Sequence, residues 1–138
     1  MRTCLLSIIL MLTGCAPRPA IEVTGAWVRQ PPPHTSATAG YLQLTNNSGD
    51  TVVLAGARSP HYGRVMIHRT TTADGVTTMR HATPLRVGDS ETVVFEPGGL
   101  HVMLMQPRHS ITDGDEVVFE LLFAEREPLT VTAVVRAP

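Results

Sequence analysis

Four side chains of this sequence, His68, Met79, His101 and Met103, could together hold a soft metal ion. Two imidazoles and two thioethers form a neutral donor set. Thioether sulfur favours Cu(I), and a set without anionic ligands does not over-stabilise a divalent ion. Zinc sites usually add thiolate or carboxylate, and calcium or magnesium wants oxygen. Taken singly, a Met in a strand is ordinarily core filler, and a His on a strand face is ordinarily solvated or hydrogen-bonded. The clustering is what an ordinary core does not explain: Met66, Met79, Met103 and Met105 all fall in two segments that also carry His.

The spacing says how these residues could meet. Asp74-Gly75 is a strong signal for a two-residue type I′ hairpin. In that register Ala73 pairs with Val76, Thr70 lies opposite Met79, and His68 lies opposite His81. Directly opposed residues share a face. His68, Thr70, Met79 and His81 are therefore expected on one side, with His68 and Met79 as diagonal neighbours. Val65, Ile67 and Val76 are expected on the other side, toward the core. In Leu100-His101-Val102-Met103-Leu104-Met105 the period-two alternation sends the Leu and Val residues inward and His101, Met103 and Met105 outward. Met66 alternates onto the face of His68. Met66, His81 and Met105 are thus auxiliary candidates. His34, His61 and His109 lie in expected surface loops.

The elements that must position these side chains read as short β-runs broken by turn residues. They are Ile21 to Val28, Ala39 to Thr45, Thr51 to Ala57, Gly63 to Thr71, Val76 to Thr83, Glu91 to Glu96, Leu100 to Gln106, Glu116 to Phe123 and Leu129 to Arg136. No stretch keeps a helical period for long. Strands at this spacing, with 11 Gly and 11 Pro, predict an all-β Greek-key sandwich or barrel over residues 21–138.

At 138 residues the chain fits one domain, and 43% hydrophobic with 17% charged residues is a globular composition. The net charge of -1 argues against nucleic acid as a partner, since the scattered Arg residues make no basic patch. Met1-Arg2-Thr3 followed by the apolar run Leu5 to Leu12 reads as a signal peptide over residues 1–14; eight apolar residues are too few to span a bilayer. The run ends in Leu12-Thr13-Gly14-Cys15, which resembles a bacterial lipobox. Cleavage before Cys15 would leave a lipidated Cys and a short linker over residues 15–20, anchoring the domain outside the cytoplasm. Cys4 would leave with the signal and Cys15 would be lipidated. The remaining domain has no thiol for a disulfide, a nucleophile or a blue-copper centre. With no nucleophile elbow and no phosphate loop either, the sequence does not read as an enzyme.

The quartet and its surroundings resemble the periplasmic copper chaperones of the PCuAC family. Their motif is a His, ten residues, a Met, twenty-one residues, then His-x-Met, which here falls on His68, Met79, His101 and Met103. Ala26-Trp27-Val28-Arg29, Ala39-Gly40-Tyr41-Leu42-Gln43-Leu44 and Pro97-Gly98-Gly99-Leu100-His101-Val102-Met103-Leu104 also look like family signatures. The resemblance runs from about Ile21 to Val135. It implies a cupredoxin-like fold with Cu(I) in a four-ligand site, and a periplasmic monomer. It also implies delivery of copper to the CuA centre in subunit II of cytochrome c oxidase, with Sco-type proteins as co-workers. Two departures stand out. The sequence stops at Val134-Val135-Arg136-Ala137-Pro138 without the Met- and His-rich tail of many relatives, so one Cu(I) per chain is expected. Met66 stands where relatives often have an acidic residue.

Overall fold

The computed structural model describes residues 18–137, and its regular structure is entirely β. The signal segment 1–14 and Cys15 lie outside the described residues. In chain order the strands are β1 (Ile21–Arg29), β2 (Ala37–Asn46), β3 (Val52–Arg58), β4 (Tyr62–Ala73) and β5 (Val76–His81). Then follow β6 (Leu85–Val87), β7 (Thr92–Phe95), β8 (Leu100–Pro107), β9 (Glu116–Phe123) and β10 (Leu129–Arg136). Nine of them fall on the expected runs, within two residues at either end. The tenth, β6, was not expected: three residues between Pro84 and Gly88 are too few to display an alternation. It nonetheless pairs with Val52–Leu54 and buries Val87.

Hydrogen-bonded neighbours run in the order β5-β4-β8-β7-β2-β1-β10-β9-β3-β6. The β1–β10 and β7–β8 pairs are parallel and the rest antiparallel, so non-consecutive strands meet through Greek-key crossovers. The inward faces of strands from both ends of this order share one core. Leu42 and Leu44 of β2, Ile67 of β4, Val102 and Leu104 of β8, and Val117, Phe119 and Leu121 of β9 are all fully or almost fully buried in it. Each is one tooth of a period-two alternation, which is why the sequence pattern located the core face. This is the all-β Greek-key fold that the strand pattern predicts, and the cupredoxin-like one that the resemblance implies.

Two features of this frame bear on the site. β2 is shared: Ala37–Gly40 pair with β8, and Leu42–Thr45 pair with β7. Between β7 and β8 the chain leaves that line in a tight turn, closed by Gly99 N–H donating to the Glu96 carbonyl (3.0 Å). Gly98 sits there at φ +80°, a conformation that side chains rarely adopt. Second, the β4–β5 hairpin extends past its neighbour. The pairing of β4 with β8 ends at Arg69↔Leu100, so residues beyond it have no strand behind them. Val76 is consequently 62% exposed, not in the core as the alternation alone suggested.

Candidate metal centre

Asp74 and Gly75 take φ of +51° and +75°, the paired positive values of a type I′ turn. The register that follows is the expected one: His68↔His81, Thr70↔Met79 and Ala73↔Val76. On the other flank of β4, His68 pairs with His101 and Met66 with Met103. Three adjacent strands therefore carry His81, His68 and His101 in one row. Met66 and Met103 stand in the next row on one side, and Thr70 and Met79 in the next on the other. All these side chains share the face opposite Ile67, Val102 and Leu104.

His101 is only 5% exposed. Its Nδ1 lies 3.2 Å from the Gly99 carbonyl oxygen. A carbonyl can only accept, so Nδ1 carries the proton and Nε2 is left with a free lone pair. The same carbonyl accepts the Thr70 backbone N–H at 2.9 Å. The glycine turn thus ties β4 to the ring orientation of His101.

His68 is half-buried between two other imidazoles. Its ring centroid lies 4.9 Å from that of His81 and 6.0 Å from that of His101, both edge-on. Its Nδ1 is buried with no hydrogen-bond partner. Buried ring nitrogens are rarely left so, because the desolvation is uncompensated. An ion bound at that nitrogen would supply the missing partner. Burial, reinforced by the nearby His81, His101 and Arg64, holds the His68 pKa below the usual 6.5. The neutral, ligand-ready imidazole is the favoured form.

Met79, His101 and Met103 line a shallow cleft, together with Thr70 and Gly98. Met79 is 52% exposed, since it sits on the edge strand; Met103 and Met105 are half-buried. The far wall was not anticipated. It is built by Pro32 of the Pro31–Pro33 loop, Arg29, Ala39 and Tyr41. Ala39 pairs with Met103, and the Tyr41 ring stacks on Trp27 at 4.6 Å between centroids. The stretches around Trp27 and Tyr41, read only as family signatures, form the side of the cleft that faces the metal-type donors. No spacing rule could have found this, because β2 reaches β8 only through the tertiary crossover.

The auxiliary candidates separate. His81 and Met66 meet, with Nε2 3.0 Å from the Met66 sulfur. Met105 lies farther along β8, opposite Arg64 and Ala37, in the row beyond Met66 and Met103. The loop histidines lie elsewhere: His61 and His109 pack edge-on at 5.2 Å, His61 half-buried with its Nδ1 accepting the Val118 N–H at 3.4 Å. His34 is exposed in the proline loop. Among the described residues no three His, Cys, Asp or Glu side chains converge on one point. An ion held on this face would have to draw on the thioethers.

The sequence profile of a lipoprotein family described as "Putative lipoprotein LpqE-like" matches residues 21–135. The chain is 29% identical over 136 residues to "Putative lipoprotein Lxx21020" of Leifsonia xyli subsp. xyli, covering 89% of this chain and 81% of that one. It is 31% identical over 107 residues to "Uncharacterized protein RP573" of Rickettsia prowazekii, spanning 54% of that protein's length. Among solved structures, Cu(I)-bound DR1885 of Deinococcus radiodurans is 30% identical, with a TM-score of 0.67 over 90% of this chain and 81% of that one. A copper-bound PCuAC domain from PmoF2 superposes with a TM-score of 0.71 at 21% identity, over 89% of this chain and 97% of that one. The chain belongs to the LpqE-like family and is built on the PCuAC fold.

Proposed function

We propose that this protein is a copper(I) carrier held at the outer side of a membrane by a lipid on Cys15. In this reading His68, Met79, His101 and Met103 bind one Cu(I) as cargo. The observation that carries it is the grouping of two imidazoles and two thioethers across β5, β4 and β8, with His68 Nδ1 buried and unpartnered among them. The donor set is neutral and soft, which suits Cu(I) over zinc, calcium or magnesium. The similarity to Cu(I)-bound DR1885 and to the copper-bound PmoF2 domain supports the same ion. The family's lipoprotein description supports the anchor.

The chemistry is binding and exchange, not turnover. Met79 stands half out of the protein on an edge strand, so an acceptor can replace ligands one at a time from that side. An acceptor with thiolate ligands would draw the ion onward, because thiolate binds Cu(I) more strongly than thioether does. The resemblance to the PCuAC chaperones points to the periplasm. There, the acceptor would be the CuA centre in subunit II of cytochrome c oxidase, with Sco-type proteins as partners. Native mass spectrometry of the Cu(I)-treated protein tests the binding: one copper per chain is expected, and none would overturn the reading. Gene deletion tests the role. Loss of oxidase activity in low copper is expected for delivery; sensitivity to excess copper with intact oxidase would identify a buffer.

A further inference from the structure

The row His81–His68–His101 makes His68 the middle of two soft-donor groups. On the β8 side, His68 faces His101 and Met103, with Met79 reaching in across Thr70. On the β5 side, it faces His81, whose Nε2 lies 3.0 Å from the Met66 sulfur. Met79, His101 and Met103 line the cleft, whereas His68, Met66 and His81 do not, so His68 stands between the cleft and the second group.

We propose that Met66 and His81, with His68 as the shared ligand, form a second landing position for a soft monovalent ion such as Cu(I). Cargo would pass between this position and the Met79/His101/Met103 side by changing partners about His68. The proposal rests on the reading of the His68/Met79/His101/Met103 set as a Cu(I) site and extends it.

Three observations support it. The imidazole Nε2 of His81 and the thioether of Met66 come from different strands yet lie 3.0 Å apart in direct contact, close enough for both to bind one ion once the other ring nitrogen carries the proton. Their chemistry repeats that of the cleft, with neutral nitrogen and soft sulfur and no carboxylate, which selects the same class of ion. His81 is exposed on β5, an edge strand exposed along its whole length, and so is open to an incoming donor protein. Two donors plus a shared His68 are fewer than the four of the cleft set, so the ion is held less tightly there and moves inward. Because His68 is common to both, the two positions are filled alternately and one ion per chain is retained. If the Met66–His81 pair merely packed, it would have no influence on a bound ion.

The test uses the full chain in detergent with methyl-labelled methionine, titrated anaerobically with Cu(I), in three forms. In wild type, one equivalent should move the Met79 and Met103 methyl resonances. In Met79→Leu/Met103→Leu, Cu(I) should still bind, more weakly, and the Met66 methyl and His81 ring signals should now move. Adding His81→Asn to that variant should abolish the residual binding. An unmoved Met66 methyl in the double variant, or no residual binding in it while wild type binds normally, would overturn the proposal. Unmoved Met79 and Met103 methyls in wild type would instead overturn the reading of the cleft set, so the two failures are told apart.

Discussion

At the residue scale, the donors are separable from the forces that hold the fold. Met103 lies on the outer face of β8, while its neighbours Val102 and Leu104 are completely buried. Met103→Leu conserves volume and should cost the apo protein less than about 1.5 kcal/mol. It removes the sulfur, and Cu(I) affinity should fall by at least about tenfold, since loss even of an outer-shell partner typically costs about 10–100-fold. Competition against a Cu(I) chelator, alongside thermal melting of the apo form, measures both. Equal affinity would remove Met103 from the ligand set. His68 gives a pH signature. Its folded pKa is depressed, so below pH 6.5 the unfolded chain binds more protons there than the folded chain does. Its contribution to stability is full above pH 6.5, declines as pH falls toward the lower folded value, and is gone below it. Apo wild type should therefore lose more stability between pH 7.5 and about 5 than His68→Gln does, as chemical denaturation at the two pH values would show. For the same reason, protons should begin to compete with Cu(I) at His68 only at lower pH than at a free imidazole.

At the element scale, the proposed ligand set makes the hairpin the part whose order would matter to the ion more than to the fold. β5 is exposed along its whole length, and Met79 sits on it. Only the turn and the ladder to β4 keep Met79 opposite Thr70. Gly75 holds φ +75° with nothing near its missing Cβ, so Gly75→Ala meets no clash but must adopt a left-handed backbone, at about 1–2 kcal/mol. That cost falls on an element outside the core. The expected result is faster amide hydrogen exchange in Val76 to His81 and weaker Cu(I) binding, with the core amides of β8 and β9 unchanged. Uniformly faster exchange would mean that the hairpin unfolds only with the whole domain. The turn between β7 and β8 is the complementary case. Its Gly99 carbonyl is fixed by Thr70 and orients His101, so this glycine turn belongs to the site as much as to the sheet.

For the molecule as a whole, the proposed Cu(I) binding would link cargo to stability. Phe119 is fully buried in the core cluster, and Phe119→Ala should cost about 3–5 kcal/mol. That is a large share of the roughly 5–15 kcal/mol typical of a domain. An ion that binds only the folded state restores part of the loss by mass action. Cu(I) should therefore raise the melting temperature of Phe119→Ala, and should raise that of His101→Ala by much less than that of wild type. An equal rise in His101→Ala and wild type would remove His101 from the ligand set. At the level of the cell, Cys15→Ser should release the protein from the membrane fraction if the lipid anchor is as proposed, and fractionation reads this directly.

The sequence by itself determined what depends on local chemistry and on the two-residue period of a strand. It located nine of the ten strands and the inward faces of β8 and β4. It also set the hairpin register, because Asp74-Gly75 allows only one pairing of the residues around it. From that register came His68 beside Met79 and His81. Donor types alone, with no thiol in the domain, were enough to argue for a soft ion. What it could not decide were contacts made through crossovers, since these link residues whose separation in the chain carries no period. Only the tertiary structure laid β4 against β8, which set His68 against His101 and Met66 against Met103. Only it turned β2 and the Pro31–Pro33 loop into the far wall of the cleft. Val76 marks the limit of pattern reading: its alternation was right, but the sheet ended before reaching it, so the inward face had nothing to pack on. The Met66–His81 contact shows the same limit from the other side, since their shared face was legible but their meeting was decided by side-chain packing in the folded protein.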